Sequence, residues 1–296
     1  MAQADVDVFV RLERFYDAVP RPYATVEDFG GLVLFIRDGE GWPYYARPRI
    51  GAETPSAADI TAVRRRQREL GIPEAFEWVH ETTPDLLAVA RSAGLDVHLA
   101  PLLVLDPAAL LPELPVPGAT VRVLDPRSPT FADDVAASRA VSRLAFGAPA
   151  NATPLEGATS GSLVTMDAGP AERDAATVAL PPGELQRVRT HSAGTDFLTA
   201  VADSPAEGIL ATGGIQRAGD ISEVVGVATL PSARNRGYAS QLTATLAHRT
   251  LDTGATTVFL SASDDDVARL YTRVGFRRIG TACIAEPAAA AIQGLG

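Results

Sequence analysis

Two rhythms of apolar and polar residues alternate along this chain, and the places where the rhythm changes mark its elements. Phe9, Leu12, Phe15 and Tyr16 recur at helical spacing, which predicts a helix over 5–18 that Pro20 and Pro22 stop. Residues 31–36 form an unbroken apolar run that reads as a strand, 38–41 a turn, and 42–48 a second extended segment. A helix is expected from 55 to 70 with Gly71 as its stop, a strand at 76–80, a helix through 83–94 and a strand at 97–105. The proline-rich segment 112–118 marks a boundary between domains. Beyond it come a strand at 120–124 and a helix over 133–146. Residues 147–194, rich in Ala, Gly, Pro, Ser and Thr, read as a long loop with broken helix. Strands at 196–202 and 209–216 then lead into a central strand that Glu223 begins. A helix to about Leu251, a strand at 256–262, a helix at 267–274 and a last strand at 277–285 close the pattern, with an alanine-rich tail from 287.

One junction in this pattern carries chemistry. The apolar strand through Val227 and Thr229 ends at Pro231, and a basic turn, Arg234-Asn235-Arg236-Gly237-Tyr238-Ala239-Ser240, opens the next helix. A strand that turns tightly into a helix aims successive backbone N–H groups at one point, where the helix dipole adds positive charge. Arg234 and Arg236 add full charges, and Gly237 lets a ligand approach the backbone closely. Such a turn suits a pyrophosphate, although many loops contain Arg-Gly.

Composition narrows the partners. The 296 residues are 46% hydrophobic and 21% charged, as in a globular chain of one or two domains. The formal net charge is −10, which disfavours nucleic acid as a partner and favours a cationic small molecule or a merely solubilising surface. All 26 basic residues are arginine. One cysteine, Cys283, excludes an internal disulfide and a cysteine metal cluster, and no metal site is expected. No apolar run approaches membrane-spanning length, the first residues lack the pattern of a secretion signal, and a cytoplasmic protein with no membrane partner is expected.

The second half resembles the GNAT superfamily (GCN5-related N-acetyltransferases), which transfers acyl groups from acyl-CoA to amines. Two motifs carry the resemblance: Arg234-Asn235-Arg236-Gly237-Tyr238-Ala239 after the central strand, and Ala268-Arg269-Leu270-Tyr271-Thr272-Arg273-Val274-Gly275-Phe276. The resemblance implies that backbone N–H groups from Arg236 to Ser240 hold the CoA pyrophosphate. It implies that the strand edge around Val227 and Thr229 pairs with pantetheine, and that Tyr271 protonates the departing thiolate. Asp265 stands where family members often carry an asparagine near CoA, which puts that contact in question. A base for the attacking amine is expected at Glu223, with Asp220 and His191 as further candidates and a strand-end surface carboxylate as the plain alternative. Cys283 is expected to be buried rather than nucleophilic.

The first half echoes this arrangement. Residues 76–105 repeat the strand–helix–Gly–strand order of 257–286, but Ala90 falls where Tyr271 stands, and the segment 50–55 replaces the pyrophosphate turn with one glycine, an acid and a proline. The expected fold is therefore α/β: two GNAT-like domains, each with a mixed, mostly antiparallel sheet flanked by helices. Residues 1–114 would form a degenerate domain, 115–118 a linker, 119–286 the catalytic domain and 287–296 a tail. The expected activity is transfer of acetyl from acetyl-CoA, as cosubstrate, to a primary amine of a small molecule. A longer acyl donor, a protein amine as acceptor, a non-catalytic CoA-binding scaffold and a homodimer stay open.

Overall fold

The computed structural model describes residues 3–39, 44–147 and 167–288. Its elements in chain order are α1 (Gln3–Ala18), β1 (Ala24–Phe29), β2 (Leu32–Arg37), β3 (Ala46–Pro48), α2 (Ala57–Leu70), β4 (Phe76–Val79), α3 (Leu86–Ser92) and β5 (Leu95–Leu105). They continue with β6 (Thr120–Val123), α4 (Phe131–Phe146), α5 (Pro170–Ala176), α6 (Pro182–Ser192), β7 (Phe197–Ser204), β8 (Gly208–Ala218), β9 (Ile221–Thr229), α7 (Tyr238–Asp252), β10 (Thr257–Ser261), α8 (Asp265–Val274) and β11 (Phe276–Pro287). The chain forms two compact units, 1–102 with 279–296, and 103–278.

In the first unit the strand order is β1-β2-β3-β4-β11-β5. The pairs β1–β2, β2–β3 and β4–β11 are antiparallel and β3–β4 is parallel. One apolar layer contains Leu32, Leu34, Ile60, Val63, Phe76, Trp78, Leu86 and Cys283. The arginines of α2 are held by acids: Arg64 and Arg68 by Glu74, Arg66 by Glu27, and Arg65 more loosely by Glu69. They form an ion-paired helix face. Strand β1 escaped the sequence reading because Ala-Thr-Val-Glu-Asp-Phe is an edge strand with few apolar residues.

The second unit holds the order β10-β9-β8-β7-β6. Its pairs are antiparallel except β9–β10, which is parallel. Helices α4 and α7 both pack on β8 and β9, and α8 packs on α7. Its core joins Leu210, Ile215, Val224, Leu230, Leu242, Leu246, Val258, Leu260 and Val274. The stretch 147–194, expected as a loop with broken helix, holds α5 and α6 between 170 and 192, while 148–166 lie outside the described residues. Pro170 and Pro182 each start a helix there, a position where proline lacks no needed donor. The expected extended segment at 42–48 is a strand only from Ala46, and residues 42–43 lie outside the described residues. The same is true of the tail from 289. Among the described residues no helix is long and apolar enough to cross a membrane.

Candidate functional site

The centre of the second unit is a defect in β9. Its register against β8 runs Gln216↔Glu223, Ile215↔Val224 and Gly214↔Val225, then resumes at Thr212↔Ala228. Gly226 and Val227 therefore face Gly213 alone, which is a β-bulge. Gly226 takes φ +60°, a left-handed conformation that suits glycine. Gly213 opposite has no side chain for good reason: a Cβ there would lie 3.2 Å from Val227 Cγ2 and 3.3 Å from Leu246 Cδ1. On its other side β9 pairs with β10 only at Ile221↔Thr257, Ser222↔Val258 and Glu223↔Phe259. The two strands part beyond Glu223. Val227 and Thr229 lie in the parted segment, where backbone donors and acceptors of β9 are left for a partner other than β10.

The parted strand leads through a short helical turn, Pro231–Ala233, into the basic loop. Asn235 at φ +63° and Gly237 at φ +85° are both left-handed, and Gly237 precedes the first residue of α7. No side chain caps this helix. Its first i→i−4 bond is Gln241 N–H to Gly237 C=O at 3.2 Å, so the N–H groups of Tyr238, Ala239 and Ser240 have no acceptor within the helix. Arg236 lies across the loop, donating to the Glu207 carboxylate and the Ser232 carbonyl, both at 3.2 Å. Arg234 donates to the Ala145 carbonyl at the end of α4, at 3.3 Å. The Tyr238 ring is buried core, and its hydroxyl donates to the Pro117 carbonyl at 3.0 Å.

Helix α8 presents Ala268, Tyr271 and Val274 inward at a spacing of three. Its N-cap is Asp264, whose carboxylate accepts from Val267 N–H at 2.8 Å. Asp265, one residue on, is exposed and ion-paired to Arg278 at 2.9 Å. Tyr271 is 7% exposed, its ring meets Phe276 edge to face at 6.2 Å, and burial pushes its phenol well above the usual range. Gly275 caps α8 at φ +119°, and a Cβ there would lie 2.6 Å from the Ala109 carbonyl oxygen. That contact comes from the segment 106–111, which bonds to the end of α8 through Asp106 N–H to Gly275 C=O and Leu111 N–H to Val274 C=O. This segment and the residues just after it reach α7, where the Leu111 carbonyl lies 3.0 Å from His248 Nε2 and Leu114 N–H donates to Gln241 at 2.8 Å. Since β9 and β10 are parallel, α7 and α8 both start at their carboxyl ends, where open α/β sheets bind ligands.

The base candidates separate. Glu223 is 8% exposed and sits in the last β9–β10 pair, where the strands begin to part. Asp220 lies in the turn that precedes β9, three residues before Glu223 and on the side away from the parted segment. Its carboxylate accepts from the Thr256 hydroxyl at 2.5 Å and its carbonyl from Thr256 and Thr257 N–H, so the structure gives it a turn-closing place. His191 ends α6 and stacks on Phe197 with ring centroids 5.4 Å apart. Cys283 is buried in the first unit, where burial pushes its thiol up to about 12. The bulge at Gly226 and the segment 106–111 are the two features the sequence reading missed. An isolated glycine inside an apolar strand was the available signal for the first.

Among its described residues the first unit lacks the corresponding features. The N-terminus of α2 is closed by its own capping box: Ser56 Oγ accepts from Asp59 N–H at 3.2 Å, and the Asp59 carboxylate accepts from Ser56 N–H at 2.8 Å. The carboxylate of Asp59 thus occupies the place an anion would take. Ala90, on α3, is buried core.

Comparison with known proteins bears on the fold. Residues 204–285 match the family of FR47-like proteins. Among solved structures the chain is similar to a GCN5-related N-acetyltransferase from Kribbella flavida, at 22% identity over 95% of this chain and 96% of that one, with a TM-score of 0.67. It is also similar to a GCN5-related N-acetyltransferase from Sphaerobacter thermophilus (15% identity, 86% and 80% covered, TM-score 0.52). A third similar structure is a tandem GNAT protein from the clavulanic acid biosynthesis pathway (14% identity, 88% and 79% covered, TM-score 0.51). No curated protein matches. The fold is that of the GNAT superfamily over nearly the whole chain, and the segment with the FR47-like pattern is the one that carries the bulged strand, the basic loop and Tyr271.

Proposed function

We propose that this protein is an acyl-CoA-dependent N-acyltransferase, and that its second unit transfers acetyl from acetyl-CoA to the primary amine of a small molecule. The observation that carries the reading is the parting of β9 from β10 directly before an uncapped helix N-terminus. The first unit acts as a degenerate partner without a CoA site of its own.

The residues fit a CoA thioester in two places. The N–H groups of Tyr238, Ala239 and Ser240, beside Arg236, match a pyrophosphate in charge and donor direction. The unpaired edge around Val227 and Thr229 matches the amides of pantetheine. When bound, the cosubstrate supplies an acetyl thioester, an electrophilic carbonyl with a thiolate leaving group. A backbone N–H on the β9 edge would stabilise the charge gained by the carbonyl oxygen. Asp265, already ion-paired to Arg278, has no necessary part in holding CoA.

An amine attacks only in its neutral form. Glu223 takes the proton that the nitrogen loses, directly or through one water. The C–N bond forms and the C–S bond breaks. Tyr271, whose phenol burial keeps protonated, gives its proton to the departing sulfur and is reprotonated from solvent. In balance, one proton leaves nitrogen and one arrives on sulfur, giving an N-acetyl amine and free CoA. Neither Asp220, tied to Thr256, nor Cys283, in the first unit, is needed.

Initial rates of thiol release test these roles. At pH 7, Glu223→Gln and Tyr271→Phe should each lower kcat about 100-fold, within the range of general acid–base catalysis, while CoA still binds. Unchanged rates in either variant would remove that residue from the mechanism.

A further inference from the structure

The sheet of the second unit is covered unevenly on the side of α4. Two hydrogen bonds fix which side chains share that face. Ser138 on α4 lies 2.7 Å from the Thr212 hydroxyl on β8, so Thr212 points at α4. Ser222 on β9 lies 2.6 Å from Thr250 on α7, so the next residue, Glu223, points to the opposite face, that of α4. Cross-strand register then sets three rows on this face: Val201–Thr212–Ala228, Thr199–Gly214–Val225 and Phe197–Gln216–Glu223. The first row is sealed under α4, at 0%, 2% and 3% exposure. In the other two rows every residue but Glu223 is only half-buried.

This strip has defined walls. On one side stands α4. On the other stands α6, tied to α4 by Arg139–Glu184 at 2.5 Å and resting on β7 where His191 stacks on Phe197, the ring planes 29° apart. In the middle stands Gly214, half-buried and without a side chain, where a Cβ would crowd the Leu198 carbonyl oxygen at 3.1 Å and meet Val225 Cγ2 at 3.7 Å. Glu223 closes the end nearest the parted strands.

We infer that this strip is the acceptor subsite and that it selects a primary amine carrying an aromatic body. The inference rests on the acyl-transfer reading and adds to it the chemical class of the acceptor. The carboxylate of Glu223 receives the amine, and the side-chain amide of Gln216 offers a donor NH2 and an acceptor carbonyl midway. The Phe197–His191 stack offers aromatic surface at the far end. Glu223 and Phe197 stand two strand spacings apart, about 10 Å, which an arylalkylamine with a short linker spans.

The test uses the full chain with acetyl-CoA and three amines: 2-phenylethylamine, spermidine and glycinamide. Free thiol is followed and product mass measured. The inference predicts kcat/KM at least tenfold higher for 2-phenylethylamine than for the other two. Phe197→Ala should raise KM for 2-phenylethylamine about tenfold, the size expected for one aromatic contact, whereas Phe197→Tyr keeps it low. If Phe197→Ala does not fold, Phe197→Leu, which keeps the apolar bulk and removes the aromatic ring, should still raise KM for 2-phenylethylamine and leave that for glycinamide unchanged. Turnover with spermidine or glycinamide preferred, or equal losses on all three amines in the variants, would overturn this inference and leave the acyl-transfer reading standing. Turnover of no amine by a chain that binds CoA would overturn both.

Discussion

Burial holds the Tyr271 phenol above its usual range, and that sets what the residue can do. A phenol with a raised pKa keeps its proton as pH rises, and loses it only above that raised value. Its contribution as an acid should therefore be constant through neutral and mildly alkaline pH. The rate ratio between the wild-type protein and Tyr271→Phe is expected to stay flat from about pH 6.5 to 9.5 in stopped-flow thiol assays. A ratio that falls toward one below pH 9.5 would contradict a buried acid. Gly275 makes a different kind of demand. Its φ of +119° and the Ala109 carbonyl 2.6 Å from a would-be Cβ both exclude a side chain. Gly275→Ala should cost about 1–3 kcal/mol, read from chemical denaturation, as strained backbone positions do. The Gly-Phe of the motif thus has a structural reason independent of catalysis.

At the scale of elements, β9 with its loop is where sequence and structure can be compared most closely. The apolar run, the basic turn and the helix after it were legible, because a period-2 run, a glycine and a period-3.6 run are local signals. The bulge was not read, although Gly226 stood inside the strand, because a bulge is defined by the partner strand: only the register against Gly213 reveals it. By sequence the base is expected at Glu223, with Asp220, three residues before it, as a further candidate. Pairing separates them, since one stands where β9 and β10 part and the other closes a turn with Thr256. Helices α5 and α6 are legible only as broken helix within a loop, because the prolines, alanines and glycines around them resemble loop composition and hide their bounds. The loop itself gives an element-scale prediction. Gly237→Val places a β-branched residue at φ +85° and should reorient the N–H groups of α7. Calorimetry should show CoA binding at least tenfold weaker with the fold retained. Equal affinity would mean that the loop backbone does not hold the ligand.

Across the whole molecule the two units carry related elements and unequal equipment. The N-terminus of α7 is open and flanked by arginine, whereas that of α2 is closed by Ser56 and Asp59. Tyr271 has Ala90 as its counterpart by sequence alignment of the halves. Titration with CoA should accordingly saturate at one equivalent per chain, and two equivalents would show that the first unit also binds. A net charge of −10 is compatible with a cationic acceptor drawn toward Glu223. The central claim is that the chain makes N-acyl amines, and product detection tests it most directly. The protein would be incubated with acetyl-CoA carrying a 13C-labelled acetyl group and 2-phenylethylamine, and the mixture analysed by mass spectrometry. The account predicts labelled N-acetyl amine formed in proportion to enzyme, equal in amount to the CoA released, and strongly reduced with Tyr271→Phe. CoA bound at one site with no labelled product from this or any other amine would contradict it.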